Sequence, residues 1–396
     1  MTEDTDEHDH RSRHPAYRHQ LAQMQHQAGL SPAVRVLVVV VLLYGFLVGV
    51  SLLEAGIAAL GSDVQESLFG RVSNPLAGVF VGLLGTVLVQ SSSVSTSTIV
   101  ALVGSGLLGV DDAVPMVMGA NMGTTVTNTL ASLGHLRHGP EFKRAFAAAT
   151  VHDFFNVLSV AVLLPLELIF GAVSRPAEWL TDRLAGTSGA TWKSPFKEWV
   201  KEPVGRIQDG LDSVGAEGNV LAILLLVVGL AFIFGALALI TKNMRSLVAD
   251  RVERSVNAVL GRGGGLVAMA IGIIITIAVQ SSSITTSILV PLAASGVLTL
   301  RNAYPVTLGA NVGTTVTALL ASLATNRPEA LTVALAHTLF NVFGIMIFYP
   351  VPALRDLPPR LAEALGGLAV RRRSLALAYA LGAFVIVPLI GLVLLG

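Results

Sequence analysis

The chain has 396 residues, 53% of them hydrophobic and 13% charged, with a formal net charge of +1 and no cysteine. Soluble domains carry roughly 25% charged residues, so apolar runs of about 20 residues argue here for membrane-spanning helices rather than a soluble core. The balanced charge leaves no footprint for nucleic acid, and the lack of cysteine excludes disulfides and thiolate metal sites.

Residues 1–33 form a polar tail holding five of the nine histidines: His8, His10, His14, His19 and His26. Their irregular spacing among Gln and Asp reads as a solvated, disordered cytoplasmic tail rather than a metal site. It is not a signal peptide, because no short apolar core with a small-residue cleavage site precedes the first long span. A first repeat, 34–173, offers spans at Val34–Leu60, Ala113–Leu133 and Ala145–Val173. Between them, Leu76–Val89 is too short to cross, about 21 Å of helix against a hydrocarbon core of about 30 Å. It ends at Gln90-Ser91-Ser92-Ser93 and is followed by a second short piece, Val94–Leu108. Residues 76–108 therefore read as a re-entrant hairpin, whose polar tip is tolerable only where protein or a watery cavity surrounds it.

The loop 174–218 contains all three tryptophans, Trp179, Trp192 and Trp199, which suit the outer membrane surface. The second repeat, 219–354, has spans at Asn219–Thr241, Ala303–Leu323 and Leu331–Leu354. Its hairpin, 266–298, is made of Leu266–Val279 and Ile284–Leu298 around Gln280-Ser281-Ser282-Ser283. Residues 355–396 add a cytoplasmic loop and the span Leu375–Leu395. The expected fold is an all-α polytopic membrane protein with about seven full spans and two hairpins. Strand-period alternation is absent, which argues against a membrane β-barrel.

Lysine and arginine set the orientation. With the tail inside, the inner loops carry Arg137, Lys143 and Arg144, then Lys242, Arg245, Arg251, Arg254 and Arg262, then Arg355, Arg360 and Arg371–Arg373. The short outer loops keep only Arg71 and Arg327. This fits the positive-inside rule only if both hairpins return to the side they entered. An odd number of spans then separates the two hairpins, so the repeats are inverted, the geometry of alternating access in a cell-membrane protein.

The repeats match residue for residue. A shift of 190 aligns Gln90–Leu133 with Gln280–Leu323 without a gap, and 25 of the 44 positions are identical. Serine is a favoured helix N-cap, and the first turn beyond it has free N–H groups at the positive end of the helix dipole. Two inverted tips would aim two such ends at one point, a site for a compact oxyanion such as phosphate. Gly-Ala-Asn-x-Gly-Thr-Thr-Val-Thr follows in both copies, Gly119–Thr127 and Gly309–Thr317, and places Asn121 and Asn311 at corresponding positions, where both are candidate phosphate ligands beside the tips. Its glycines suggest locally unwound helices whose carbonyls, Thr hydroxyls and Asn oxygens suit alkali cations. With no Arg or Lys beside either motif, co-bound cations would balance the anion. A third echo, His-x-x-Phe-Asn, occurs at His152–Asn156 and His337–Asn341. Its Asp153, matched by Thr338, is a carboxylate inside a span and hence a functional candidate. The two histidines fit helix–helix hydrogen bonding.

These residues resemble the type II sodium–phosphate cotransporter family, whose pattern is the same three motifs, duplicated, over about 76–166 and 266–352. The resemblance implies a non-enzyme without cofactors. It implies that Gln90, Ser91, Ser92, Ser93, Gln280, Ser281, Ser282 and Ser283 hold phosphate. It further implies that Gln280, Ser281, Thr314 and Thr317 form one sodium site, with Asp153, Asn156 and Thr129 serving others. An Asp at the place of Asp153 accompanies an electrogenic cycle in that family, and Gly an electroneutral one. The chain departs from mammalian members at Ala310, where they have Ser, and at His135 and His138, where they have Gln and Asp. The missing cysteines and short ends suggest a prokaryotic member. Two other readings are a symporter of sulfate or a carboxylate, and an intramembrane hydrolase pairing a tip serine with His152 or His337.

Overall fold

The computed structural model describes residues 31–60, 74–137, 139–185, 195–261 and 264–395. The tail histidines and arginines, Arg71, His138, Trp192 and Arg262 lie outside the described residues. The chain divides into Met1–Val41 and Leu42–Gly396. The described part of the first unit is the start of a helix, and all that follows concerns the second.

The described residues contain helices and no strand. In chain order they are α1 (Pro32–Ala59), α2 (Pro75–Val89), α3 (Ser92–Ser105), α4 (Val110–Gly123), α5 (Val126–Ser132), α6 (Gly139–Phe170), α7 (Ser174–Ala185) and α8 (Pro195–Ser213). There follow α9 (Gly218–Gly261), α10 (Gly265–Val279), α11 (Ser282–Ala294), α12 (Leu300–Ser322), α13 (Pro328–Phe348), α14 (Pro352–Arg355) and α15 (Leu357–Arg371). The chain ends with α16 (Ser374–Leu381), a π-helical step at Gly382–Ile386, and α17 (Val387–Leu395). Five stretches are long and apolar enough to cross a membrane: Ala33–Ala59, Gly139–Phe170, Gly218–Met244, Pro328–Phe348 and Ser374–Leu395. Their outward leucines and valines, such as Leu239, Val393 and Leu394, are exposed, as lipid-facing side chains are.

The expected spans Ala113–Leu133 and Ala303–Leu323 are not among the five. The first breaks at Thr124–Thr125 between α4 and α5; the second lies within the continuous α12, whose Thr and Asn residues make it too polar. The expected unwinding around both asparagines is thereby corrected. Asn121 and Asn311 are helical, and only the first copy breaks, just after Gly123.

The motif glycines serve close approach instead. α2 packs along α4, and α10 along α12. A Cβ on Gly82 would stand 1.8 Å from Met116 O, and one on Gly119 1.8 Å from Val79 O. In the second copy, Gly272 faces Val306 O at 2.2 Å and Gly309 faces Met269 O at 1.9 Å. Nothing larger than glycine fits these backbone contacts. α3 in turn packs on α12 and α13 of the other repeat, while α11 packs on α5 and α6, so each hairpin is embraced by the opposite repeat.

The linker 174–218 holds two amphipathic helices, α7 and α8. Trp179 and Trp199 are exposed on them, the first beneath Arg183 at 4.9 Å. Lys197 of α8 pairs with Glu54 of α1, and the Tyr44 hydroxyl donates to Trp199 O at 2.8 Å. α15 lies along α6, and α17 along α2.

Gly119→Ala and Gly309→Ala are each expected to destabilise the protein by about 1–3 kcal/mol through overpacking, read as a lower melting temperature in detergent. Gly85→Ala, where a Cβ would meet nothing within 4 Å, is expected to melt like the parent.

Candidate functional site

Each short helix ends because its glutamine turns left-handed. Gln90 has φ 58° and Gln280 φ 56°, the sole non-glycine residues with positive φ among the described residues. That conformation is disfavoured for a side chain with a Cβ and persists only where its surroundings hold it. Here the backbone N–H of Gln90 donates to Thr86 O and that of Gln280 to Thr276 O, both at 2.7 Å. The side-chain amides donate to Val87 O at 2.5 Å and Ile277 O at 2.7 Å. Their oxygens accept from Thr127 at 3.1 Å and Thr317 at 2.9 Å, the final threonine of the glycine–asparagine motif in each repeat.

One residue on, Ser91 and Ser281 are extended N-caps that accept from Val94 N and Ile284 N, both at 3.4 Å. α3 and α11 begin at Ser92 and Ser282, both buried, and their first-turn N–H groups have no intrahelical acceptors. The tips reach across the repeats. Ser93 Oγ donates to Gln280 O at 3.5 Å and accepts from Thr317 at 3.4 Å; Ser283 Oγ donates to Thr124 O at 3.5 Å. All eight tip residues therefore belong to two helix starts joined by contacts between Ser93 and Gln280.

Asn121 and Asn311 sit in a second polar layer. Asn121 donates to Asn341 Oδ1 at 2.7 Å, and Asn311 to Asn156 Oδ1 at 2.7 Å. Asn156 also donates to Asn121 O at 2.8 Å, Asn341 donates to His337 O at 3.0 Å, and His152 Nε2 lies 2.5 Å from Asn311 Oδ1. The motif asparagine of each repeat thus pairs with the His-x-x-Phe-Asn asparagine of the other. Their side-chain hydrogen bonds run within this network rather than to the tip serines.

The carboxylate of Asp153 is buried. Its Oδ2 accepts from Thr129 at 3.3 Å and from the Tyr379 hydroxyl at 3.1 Å, while its Oδ1 has no hydrogen-bond partner among the described residues. A buried anionic oxygen without a donor fits a cation, and the neighbouring hydroxyl oxygens are the hard ligands that sodium prefers. In the second repeat Thr338 takes this place and donates to Thr315 at 3.0 Å, so the corresponding position is neutral. Among the sodium candidates, Gln280 and Thr317 are joined, as are Thr129 and Asp153. Thr314 donates to Ala310 O at 2.9 Å, Ser281 caps α11, and the Asn156 amide is engaged by Asn121 and Asn311.

Two contributors escaped the sequence reading. Tyr379 comes from the C-terminal span, outside both repeats. Asn128 donates to Thr286 at 2.5 Å and accepts from Ser287 at 2.8 Å, gripping the second hairpin. Its counterpart is Ala318, so duplication gave no signal; a lone Asn in an apolar stretch was the only clue. Among the described residues neither histidine is hydrogen-bonded to a tip serine: His152 is bound to Asn311, and both ring nitrogens of His337 lack partners.

Asn156→Leu strips the buried Asn311 amide of its acceptor and removes one of two donors to Asn121 O, which keeps the Thr124 N–H at 3.3 Å. It is expected to cost about 1–3 kcal/mol for the orphaned amide, whereas Ser295→Ala at an exposed helix end should stay within about 0.5 kcal/mol of the parent. Thermal unfolding in detergent distinguishes them.

The sequence model of the Na+/Pi-cotransporter family matches residues 46–174 and 222–369. These segments contain both tips, both asparagine motifs and Asp153, but not Tyr379. The chain is similar to sodium-dependent phosphate transport protein 2A of Ovis aries, 36% identical over 418 residues, covering 87% of this chain and 65% of that protein. Against the 2A protein of Rattus norvegicus it is 35% identical over 416 residues, 87% of this chain and 65% of the relative. Against sodium-dependent phosphate transport protein 2B of Homo sapiens it is 32% identical over 444 residues, 90% and 64%. The chain spans just under two thirds of the length of these relatives. No solved structure matches it.

Proposed function

The chain belongs to the Na+/Pi-cotransporter family, and on that premise we propose that it is a secondary active transporter carrying inorganic phosphate together with sodium. The observation that carries this reading is the meeting of the two tips, where Ser93 of one repeat bonds to Gln280 and Thr317 of the other. Phosphate binds to the free N–H groups and hydroxyls at the starts of α3 and α11, with both helix dipoles directed at it. Among the described residues no lysine or arginine bonds to either tip, and sodium supplies the balancing charge. One ion is held among Gln280, Ser281, Thr314 and Thr317, and a further one at Asp153 with Thr129, near Asn156.

The hairpins are re-entrant and the repeats inverted, with the N-terminus on the cytoplasmic side of the cell membrane. Alternating access follows from rearrangement of the two repeats about the shared tip region. An elongated polar layer of cross-paired asparagines then supports the site while remaining closed to water.

The test is uptake of labelled phosphate into proteoliposomes with and without an inward sodium gradient. Sodium-stimulated phosphate uptake is expected, and uptake of sulfate or a carboxylate in its place would redirect the reading. Ser92→Ala and Ser282→Ala should each reduce uptake at least about tenfold, the loss of roughly 1.4 kcal/mol of binding, with melting temperatures near the parent's. Normal uptake in either variant would refute a shared central site.

Asp153 governs charge movement in this scheme. Under an inside-negative, valinomycin-imposed potassium potential, uptake by the parent is expected to rise. Asp153→Gly should keep sodium-dependent uptake and lose that response. Parent uptake indifferent to the potential, or a Gly variant that still responds, would sink the assignment.

A further inference from the structure

A second polar recess lies at the far end of α10 from the tip. Fifteen residues of helix separate its lining residue Gly265 from Gln280, about 22 Å. The recess holds about 200 Å³, several times the ~30 Å³ that one water takes. Arg301, Asn302, Tyr304, Tyr349, Arg355 and Asp356 line it beside Gly265.

Several independent features of this recess call for an anion. The Tyr304 hydroxyl is buried and has no hydrogen-bond partner among the described residues, a donor in need of an acceptor. α10 and α12 both start here, behind Gly264 and Thr299, and neither N-cap side chain takes up a first-turn N–H. Asp356 is already bound by Arg301 at 3.1 Å and Arg360 at 3.7 Å. Arg355 lies over the Tyr349 ring at 5.7 Å. Three arginines against one carboxylate leave an excess of positive charge beside an unpartnered hydroxyl.

The first repeat shows what the same framework looks like without this chemistry. At the corresponding positions Asp111 and Asp112 replace Arg301 and Asn302, and Val114 replaces Tyr304. Its short helix is capped, since Asn74 Oδ1 accepts from Leu76 N at 3.0 Å. The two ends of the duplicated scaffold have thus diverged in charge, in hydroxyl and in the cap of the short helix, while α4 behind Gly109 and α12 behind Thr299 both start without a side-chain cap.

We infer that this recess is a second oxyanion site, distinct from the tips, that takes a phosphate group. The group is either free inorganic phosphate or the phosphomonoester head of an anionic lipid, and the positive-inside orientation puts it on the cytoplasmic face. Arg301 and Arg355 supply charge, Tyr304 a hydroxyl donor, and the starts of α10 and α12 their backbone N–H groups.

The chain has no cysteine, so Asn302→Cys in the full-length protein, purified in lipid-free detergent, reports on occupancy without any need for transport. Its reaction with a maleimide should slow about fivefold near saturation of the site by inorganic phosphate, by short-chain phosphatidic acid, or by both. Protection by phosphate alone identifies the free ion, and protection by phosphatidic acid alone identifies the lipid head. Arg301→Gln combined with Arg355→Gln should abolish the effect, and Asp112→Cys, at the corresponding place in the first repeat, should show none. Unchanged labelling with both probes overturns the site. So does protection that survives the double variant, or equal protection at Asp112→Cys. If the double variant does not elute as the parent does, Tyr304→Phe decides alone, since undiminished protection in it also overturns the proposal.

Discussion

A short helix that ends inside a protein leaves its last carbonyls without donors, and the next helix starts with N–H groups that lack acceptors. The second unit of this protein is organised around meeting that need twice. Gln90 and Gln280 fold back in the left-handed region, where their own backbone and side-chain amides take up carbonyls at the ends of α2 and α10. A threonine from the neighbouring motif helix fixes each glutamine oxygen. This leaves the first-turn N–H groups of α3 and α11 without intrahelical acceptors, so one constraint yields both the turn and the free donors.

The glycine contacts make that arrangement possible. Thr127 of α5 and Thr317 of α12 reach the tip glutamines beside the places where α4 and α12 approach α2 and α10 at backbone distance, through Gly82 with Gly119 and Gly272 with Gly309. The cross-paired asparagines then bind the repeats to each other. Buried amides that find every partner cost little, whereas a half-satisfied set would be expensive in a medium without water. The network is therefore a condition on how the two repeats can be assembled as well as a support for the tips.

Against this symmetry the differences carry information. Asp153 faces Thr129 and Tyr379, while Thr338 makes a neutral contact with Thr315 at the matching place. Asn128 grips α11, but Ala318 has no counterpart grip on α3. At the far ends of the hairpins the first repeat has a capped α2 and an acidic start to α4, whereas the second has an uncapped α10 and Arg301 at the start of α12. A duplicated scaffold thus retains its shared centre and differentiates at its periphery, where a substitution in one copy leaves the other copy's packing intact.

Much of this was legible in the sequence. Exact duplication of Gln-Ser-Ser-Ser located both tips, and the short apolar runs gave the ends of α2 and α10 to within a residue, because helix length and serine capping are local properties. The motif glycines signal unwinding in both copies, whereas the helix breaks in the first alone, because a glycine that bends a helix and one that admits a neighbouring backbone look alike in one dimension. Pairing along the chain, of Ser93 with Gln280 and Asn121 with Asn341 across the repeats and of Tyr379 with Asp153 from the C-terminal span, joins residues 187, 220 and 226 positions apart. Composition, periodicity and repetition determine which residues are polar and where helices end. Only tertiary packing decides which polar group meets which, because hydrogen bonds of a few ångströms depend on how helices distant in the chain come together.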